Sequence, residues 1–248
     1  MASGNTLVKF TAQNNVVPGD WKYLPFTSGG THEVLVADTL TGATGGATAV
    51  VVMIVVTSGT WGGGDAAGFF ILKSQSGAFE SENLDEGANS NVCTIAADSS
   101  FAAGLPSDRN GHKIVTLDDT VVQFAVFADV LVRAYAGGGV TAYVHVSLAS
   151  DTTNEITIGV AFERIGDQQL DVDTDSWAEM NNSAAITVPG TAGLVDIIPI
   201  TFSDGADMDS VAVGEGYRLL VCGRSDLGAN VDDAVGNREL HRVELKET

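Results

Sequence analysis

The stretch Val140–Leu148, VTAYVHVSL, decides the fold. Val140, Ala142, Val144, Val146 and Leu148 fall on one side of an extended chain, and Thr141, Tyr143, His145 and Ser147 on the other. Successive strand residues point to opposite faces, so this alternation describes a strand with one face in a core and one toward solvent. Upstream, Ala47–Thr57 (ATAVVVMIVVT) is β-branched almost throughout and reads as a central strand buried on both faces. Its apolar run of about ten residues is too short for a membrane helix.

Working outward, further strands are expected at Thr6–Thr11, Glu33–Ala37, Phe69–Lys73, Ala78–Asn83, Val92–Ala96, Lys113–Leu117 and Thr120–Val132. Others are expected at Glu155–Arg164, Ala184–Val188, Val195–Phe202, Tyr217–Arg224 and Glu239–Lys246. The last reads as Leu240, Arg242, Glu244 and Lys246 opposed to Glu239, His241, Val243 and Leu245. Turn clusters such as Gly42–Gly46 separate the strands, and the 29 glycines are dispersed as turns require. Only Asp207–Val213 and Ser176–Asn181 suggest short helical turns. The fold class is all-β: an antiparallel β-sandwich, jelly-roll-like, with a second, smaller β-module.

With 32 Asp and Glu against 12 Lys and Arg, the 248-residue chain carries −20 at neutral pH. Such a field disfavours nucleic acid and anionic membrane as partners. The acid surplus reads either as plain solubility or as a charge that keeps closely displayed copies apart. Cys93 and Cys222 belong to no CxxC or zinc-ligand spacing and read as small buried apolar residues of a reducing compartment; a single bridge between them stays open. MASGNTLVKF lacks the basic-then-apolar order of a signal peptide, so synthesis without export is expected.

Motifs for chemistry are few. Gly62–Ala67 fits GxGxxA, but Phe69–Leu72 after it reads as a strand, where a dinucleotide fingerprint needs a helix. Asp171, Asp173 and Asp175 open like a calcium loop, yet Ser176 and Asn182 replace the Gly and Glu of an EF-hand. A looser site with Asp167 or Glu179 stays open beside the plainer reading of a solvated acidic turn. Asp204, Asp207 and Asp209 read the same way, with Asp207 as cap of the helical turn before Val211. His32, His112, His145 and His241 have no HxH or HExxH partner, and His145 and His241 read as structural. Trp21, Trp61 and Trp177 read as core or interface residues before a sugar-stacking face. No residue is assigned a catalytic, cofactor-binding or metal-binding role, no cofactor is expected, and the chain reads as a non-enzyme.

Several segments carry a resemblance: MASGNTLVKFTA, RNGHKIVTLDDT (Arg109–Thr120), RAYAGGGVTAYVHV (Arg133–Val146) and AFERIGD (Ala161–Asp167). ITFSDGADMDSVAVGEGYRLLV (Ile200–Val221) and the ending ELHRVELKET complete the set. Together they resemble a family of small tailed-bacteriophage and prophage virion proteins of β-sandwich type. The resemblance covers residues 1 to about 20 and about 105 onward, and its motifs are structural. It implies that residues 1–22 and 104–248 form the sandwich. Residues 23–103, with Gly46–Phe79 resembling a β-module of phage structural proteins, are then an insertion. Two consecutive domains meeting near Gly104-Leu105-Pro106 are the alternative. It further implies a capsid decoration, cement or head-fibre protein on the outer head surface. Its partners would be copies of itself, as a homo-oligomer and most simply a trimer, and the major capsid protein or another virion protein. A tail-fibre or baseplate appendage binding host glycan is the competing reading, and a hydrolase of capsule or cell wall a third.

Overall fold

The computed structural model describes residues 6–15, 19–168, 175–223 and 232–248. Met1–Asn5, Asp171, Asp173 and Arg224, all part of expectations above, lie outside them. In chain order the strands are β1 (Thr6–Thr11), β2 (Lys22–Phe26), β3 (Thr39–Gly42), β4 (Thr48–Ser58), β5 (Ala67–Ser76), β6 (Glu82–Glu86) and β7 (Asn89–Ile95). Next come β8 (Ser100–Phe101), β9 (Leu105–Arg109), β10 (His112–Leu117), β11 (Phe124–Val130), β12 (Val140–Leu148), β13 (Glu155–Ile156) and β14 (Gly159–Ile165). The series ends with β15 (Asn181–Asn182), β16 (Ile186–Thr187), β17 (Asp196–Phe202), β18 (Gly216–Cys222) and β19 (Arg238–Glu247). The chain is all-β, and it divides into two compact units. One comprises Met1–Val17, Gly104–Asp171 and Trp177–Thr248, and the other Pro18–Ala103 with Val172–Ser176.

The first unit is a two-sheet sandwich. A six-stranded sheet runs β17-β12-β19-β10-β9, with β1 also paired to β19, and a four-stranded sheet runs β11-β18-β14-β15. All of these pairings are antiparallel. Following the chain through β10, β11, β12, β14, β17, β18 and β19, each step crosses to the other sheet. That alternation is the winding of a jelly roll. The alternating residues of β12 meet Val160, Phe162, Tyr217, Leu219 and Val221 of the opposite sheet in one core. Aromatic pairs reinforce it: Phe10 stacks on Phe127 at 5.2 Å, and Phe162 meets Phe202 edge-on at 4.9 Å.

Two outer strands of the sandwich, β17 and β11, are chemically blocked. On β17 the Ile197 N–H donates to the Asp196 carboxylate (2.8 Å), Pro199 has no N–H, and Asn181 Nδ2 donates to the Thr201 carbonyl (3.0 Å). On β11 the Val126 N–H donates to Asn15 Oδ1 (2.9 Å) and the Val130 N–H to Asp129 Oδ1 (2.7 Å). The Phe124 carbonyl accepts the Gly104 N–H (2.8 Å). An open strand edge is a template for sheet addition, and these groups occupy it.

The second unit is one antiparallel sheet ordered β7-β6-β3-β4-β5-β2-β8. Register shifts along β4 bend it until Thr27 bridges Thr94 through paired backbone hydrogen bonds of 2.8 and 2.9 Å, closing a small barrel. Leu24, Leu40, Phe70, Leu72 and Leu84 fill its core, and Phe26 stacks between Phe70 (4.4 Å) and Trp61 (5.3 Å).

Several local expectations need correction. Glu33–Ala37 is not a strand: Ala37 takes φ +73 and Leu35 is exposed, and extended chain begins only at β3. β4 is buried through Val51, Val52 and Met53 but half-exposed beyond Ile54, so it is not covered on both faces throughout. Ser176–Asn181 contains no helical turn. The helical turn near Asp207 shrinks to a 3-10 turn, Ala206–Met208, because Asp209 and Ser210 are left-handed at φ +52 and +55. Asp207 does not cap it; its carboxylate reaches back to the Ser203 N–H (3.0 Å) and hydroxyl.

Candidate functional site

β19 holds the largest departure from the expected pattern. Its register against β12 slips between His145 and Val146: His145 faces Arg242, whereas Val146 faces Leu240. His241 is therefore an extra residue, a β-bulge, which puts two neighbours on one side of the strand. Leu240, Val243 and Leu245 enter the core, while His241 and Arg242 both line the outer face. The alternation expected for Glu239–Lys246 is thus broken at its middle.

On that face lies a groove of about 550 Å³ lined by Thr11, His112, Lys113, His145, Val195, Ile197, His241 and Arg242. A second hollow of about 340 Å³ shares His112, Val195 and His241, and reaches Arg109 and Ser147. The β9–β10 hairpin builds one wall. Asn110 and Gly111 take φ +49 and +81, the two left-handed positions of a tight two-residue turn, so Arg109 and His112 stand directly opposite each other. This is the structural content of the RNGH segment. Gly193, at φ +83, lets Arg109 pass; a Cβ there would sit 2.8 Å from its guanidinium.

Two carboxylates organise the floor. Glu239 Oε2 accepts from Arg109 Nη1 (2.5 Å) and from the Ser147 hydroxyl (2.7 Å). His241 Nε2 lies 2.9 Å from the same hydroxyl. Since the hydroxyl proton goes to the carboxylate, His241 Nε2 is the donor to Ser147. A serine nucleophile needs the reverse: an imidazole that takes its proton, with the carboxylate behind the imidazole. Ser147, His241 and Glu239 therefore make a closed hydrogen-bond network without the wiring of a triad. Glu244 is surrounded by Lys9 (3.5 Å), Arg242 (3.6 Å), His145 (3.9 Å) and Lys246 (3.9 Å). Burial opposes its ionisation, but Lys9 and the other cations prevail and hold its carboxyl below the usual range. Burial, then the Arg242 charge, holds the His145 imidazole below its ordinary value. His241 is lowered by burial first, against the opposing pull of Glu239. The Tyr143 ring lies 4.6 Å from Lys246 Nζ.

The other singled-out residues do not converge. Asp204 accepts the Tyr135 hydroxyl (2.8 Å), Asp209 accepts the Arg164 N–H (2.7 Å), and buried Asp175 pairs with Lys73 (2.8 Å). Asp171 and Asp173 lie outside the described residues, among which no group of three His, Cys, Asp or Glu is placed to hold a metal. His32 contacts Glu86 at 3.0 Å. Trp21 and Trp61 are buried, and Trp177 lies against the Arg218 guanidinium at 4.9 Å. Gly62–Gly64 form a turn that leads into β5, with no helix behind it. Cys93 and Cys222 are both buried and neither is in a disulfide, and burial pushes the Cys93 thiol up to about 12.

No family model matches the chain, and no curated protein matches it. Among solved structures it is similar to the "xylan-binding module CBM15", at 14% identity and TM-score 0.30, over 58% of this chain and 89% of that one. It is also similar to the structure of infectious bursal disease virus Gx strain, at 11% identity and TM-score 0.26, over 99% of this chain and 72% of that one. The VP2 subviral particle of the same virus gives 10% identity and TM-score 0.24, over 100% and 74%. The neighbours are thus viral capsid proteins and a glycan-binding module, at scores too low to transfer a role.

Proposed function

We propose that this chain is a structural protein of a bacteriophage virion: a capsid decoration, cement or head-fibre protein on the outer head surface. In this reading it makes no bonds and works by contact, as a homo-oligomer seated on coat subunits. The observation that carries the reading is where the family-like segments fall. Arg109–Thr120 is the tight turn and β10, and Arg133–Val146 leads into β12. Ala161–Asp167 covers most of β14, Ile200–Val221 runs from β17 to β18, and the ending is β19. The resemblance is spent on the winding of the jelly roll, which suits a role in shape and attachment.

Gold labelling of purified particles with an antibody to this protein is the test. Label over heads is the expected result, and label on tails alone, or on no particle, removes the reading. A glycan-binding tail appendage would also use a sandwich face. On the grooved face, however, the Tyr143 ring is covered by Lys246, which leaves it poorly suited to stack a sugar.

A further inference from the structure

We propose that the groove on the outer face of the six-stranded sheet docks a carboxylate-rich surface of a second copy of this chain. This deepens the virion reading by naming the self-contact, and its test is separate from that reading's.

Charge is the first argument. Lys9, Arg109, Lys113, Arg242 and Lys246 line or border this face, with His112, His145 and His241 among them. The cations are five of the chain's 12 Lys and Arg. Their acidic neighbours are Asp108, Glu239 and Glu244, at 3.1 Å from Lys113, 2.5 Å from Arg109 and 3.5 Å from Lys9. The rest of the chain holds 29 acids against seven Lys and Arg. Two copies, each carrying −20, repel as wholes, and this face gathers the cations that can attract a neighbour's acids.

The second argument is an imidazole that faces the groove. The His145 side chain is 7% exposed and lines the groove, yet its nearest carboxylate oxygen is 3.9 Å away, beyond a hydrogen bond. The ring opens onto the groove, where an incoming acceptor can bond it in place of water. Arg242 and Lys113 stand beside it with side chains 49% and 58% exposed, able to swing toward that acceptor.

The third argument is the rim. Leu194, Val195 and Ile197 are 54%, 47% and 50% exposed along the same edge, apolar area that a neighbour's surface would cover. The β17 backbone beneath them is blocked against strand addition, so the contact is made by side chains. A basic face meeting an acidic one is a head-to-tail contact, which closes into a ring when the rotation allows.

The experiment mixes unlabelled and 15N-labelled full-length chain, joins contacting carboxylates and lysines with a zero-length carbodiimide, and reads mixed-isotope pairs by mass spectrometry. Intermolecular links from Lys113, with Lys9 or Lys246, to Asp or Glu are expected. Sedimentation should show an oligomer that dissociates with added salt. R242E and K113E should each weaken it about tenfold or more, with circular dichroism and melting like the parent. K113E lies on an exposed hairpin and serves if R242E does not fold. A monomeric parent, or an oligomer indifferent to both charge reversals, overturns the proposal. So do mixed-isotope links that avoid this face. Self-association through the groove without label on particles sinks only the virion reading.

Discussion

Arg238 and Asp232 form an ion pair sealed inside the sandwich unit, with side chains 1% and 0% exposed. Asp232 also accepts the Thr157 N–H (3.2 Å), and Arg238 Nη1 reaches the Gly236 carbonyl (3.5 Å). The pair ties the start of β19 to the segment before β14. Removing one partner strands the other charge in a poorly solvated place, so Arg238→Ala should cost about 3–5 kcal/mol. The double change Arg238→Met with Asp232→Asn should cost less than the single one. Urea unfolding of the parent and the two variants measures both; equal losses would show that the charges are not coupled.

Tyr217 presents the opposite situation. Its ring is packed between Phe10 and Phe162, and among the described residues its hydroxyl has no hydrogen-bond partner. Burial pushes its ionisation far above the ordinary value. Tyr217→Phe removes a buried orphan and keeps the packing, so stability should rise by about 1 kcal/mol. A drop in the denaturant midpoint would mean the hydroxyl has a partner.

The tight turn gives a purely conformational prediction. Nothing lies within 4 Å of a Cβ built on Gly111, yet its φ is +81. Gly111→Ala therefore meets no clash and pays only backbone strain, about 1 kcal/mol. The nitrogen and α-proton shifts of Arg109 and His112 should move with it, because the turn sets their pairing. Calorimetry and a two-dimensional NMR spectrum check the two effects.

Acid should weaken the fold in two steps. His145 and His241 are held below the ordinary 6.5, so the unfolded chain takes up protons first as the pH falls. Their contribution is full above 6.5 and lost as pH drops toward their lower folded values. Glu244, lowered from 4.5, adds a further loss below that value. The melting temperature should decline between about pH 7.5 and about pH 5.5, and His145→Gln with His241→Gln should flatten that slope. An unchanged slope would place the titration elsewhere.

How far these features were legible depends on whether they are local. The bounds of β12 are legible to the residue, since five apolar and four polar positions alternate without a break, but its polar side is covered as well, with Thr141, His145 and Ser147 8%, 5% and 2% exposed. β2 is not legible, because Lys22, Tyr23 and Pro25 dilute the signal of Leu24 and Phe26. β19 is legible as a strand, but simple alternation exchanges its faces across the bulge. The apolar steps from Leu240 to Val243 to Leu245, three residues and then two, were the one available sign of an added residue. The groove left no linear mark. His112, His145 and His241 are far apart in sequence and meet only through hairpin geometry and β12–β19 register. A search for short-range histidine spacing could not have found them.

The sealed margins of β11 and β17 bear on how such a protein behaves when packed shoulder to shoulder. Growth by annexing one more strand has no natural stopping point, and crowding would turn it into fibres. Asp196, Pro199, Asn181 and Asn15 close these two margins to an added strand, which leaves side-chain surfaces for contact there. Neither margin can then seed a fibre when copies crowd together.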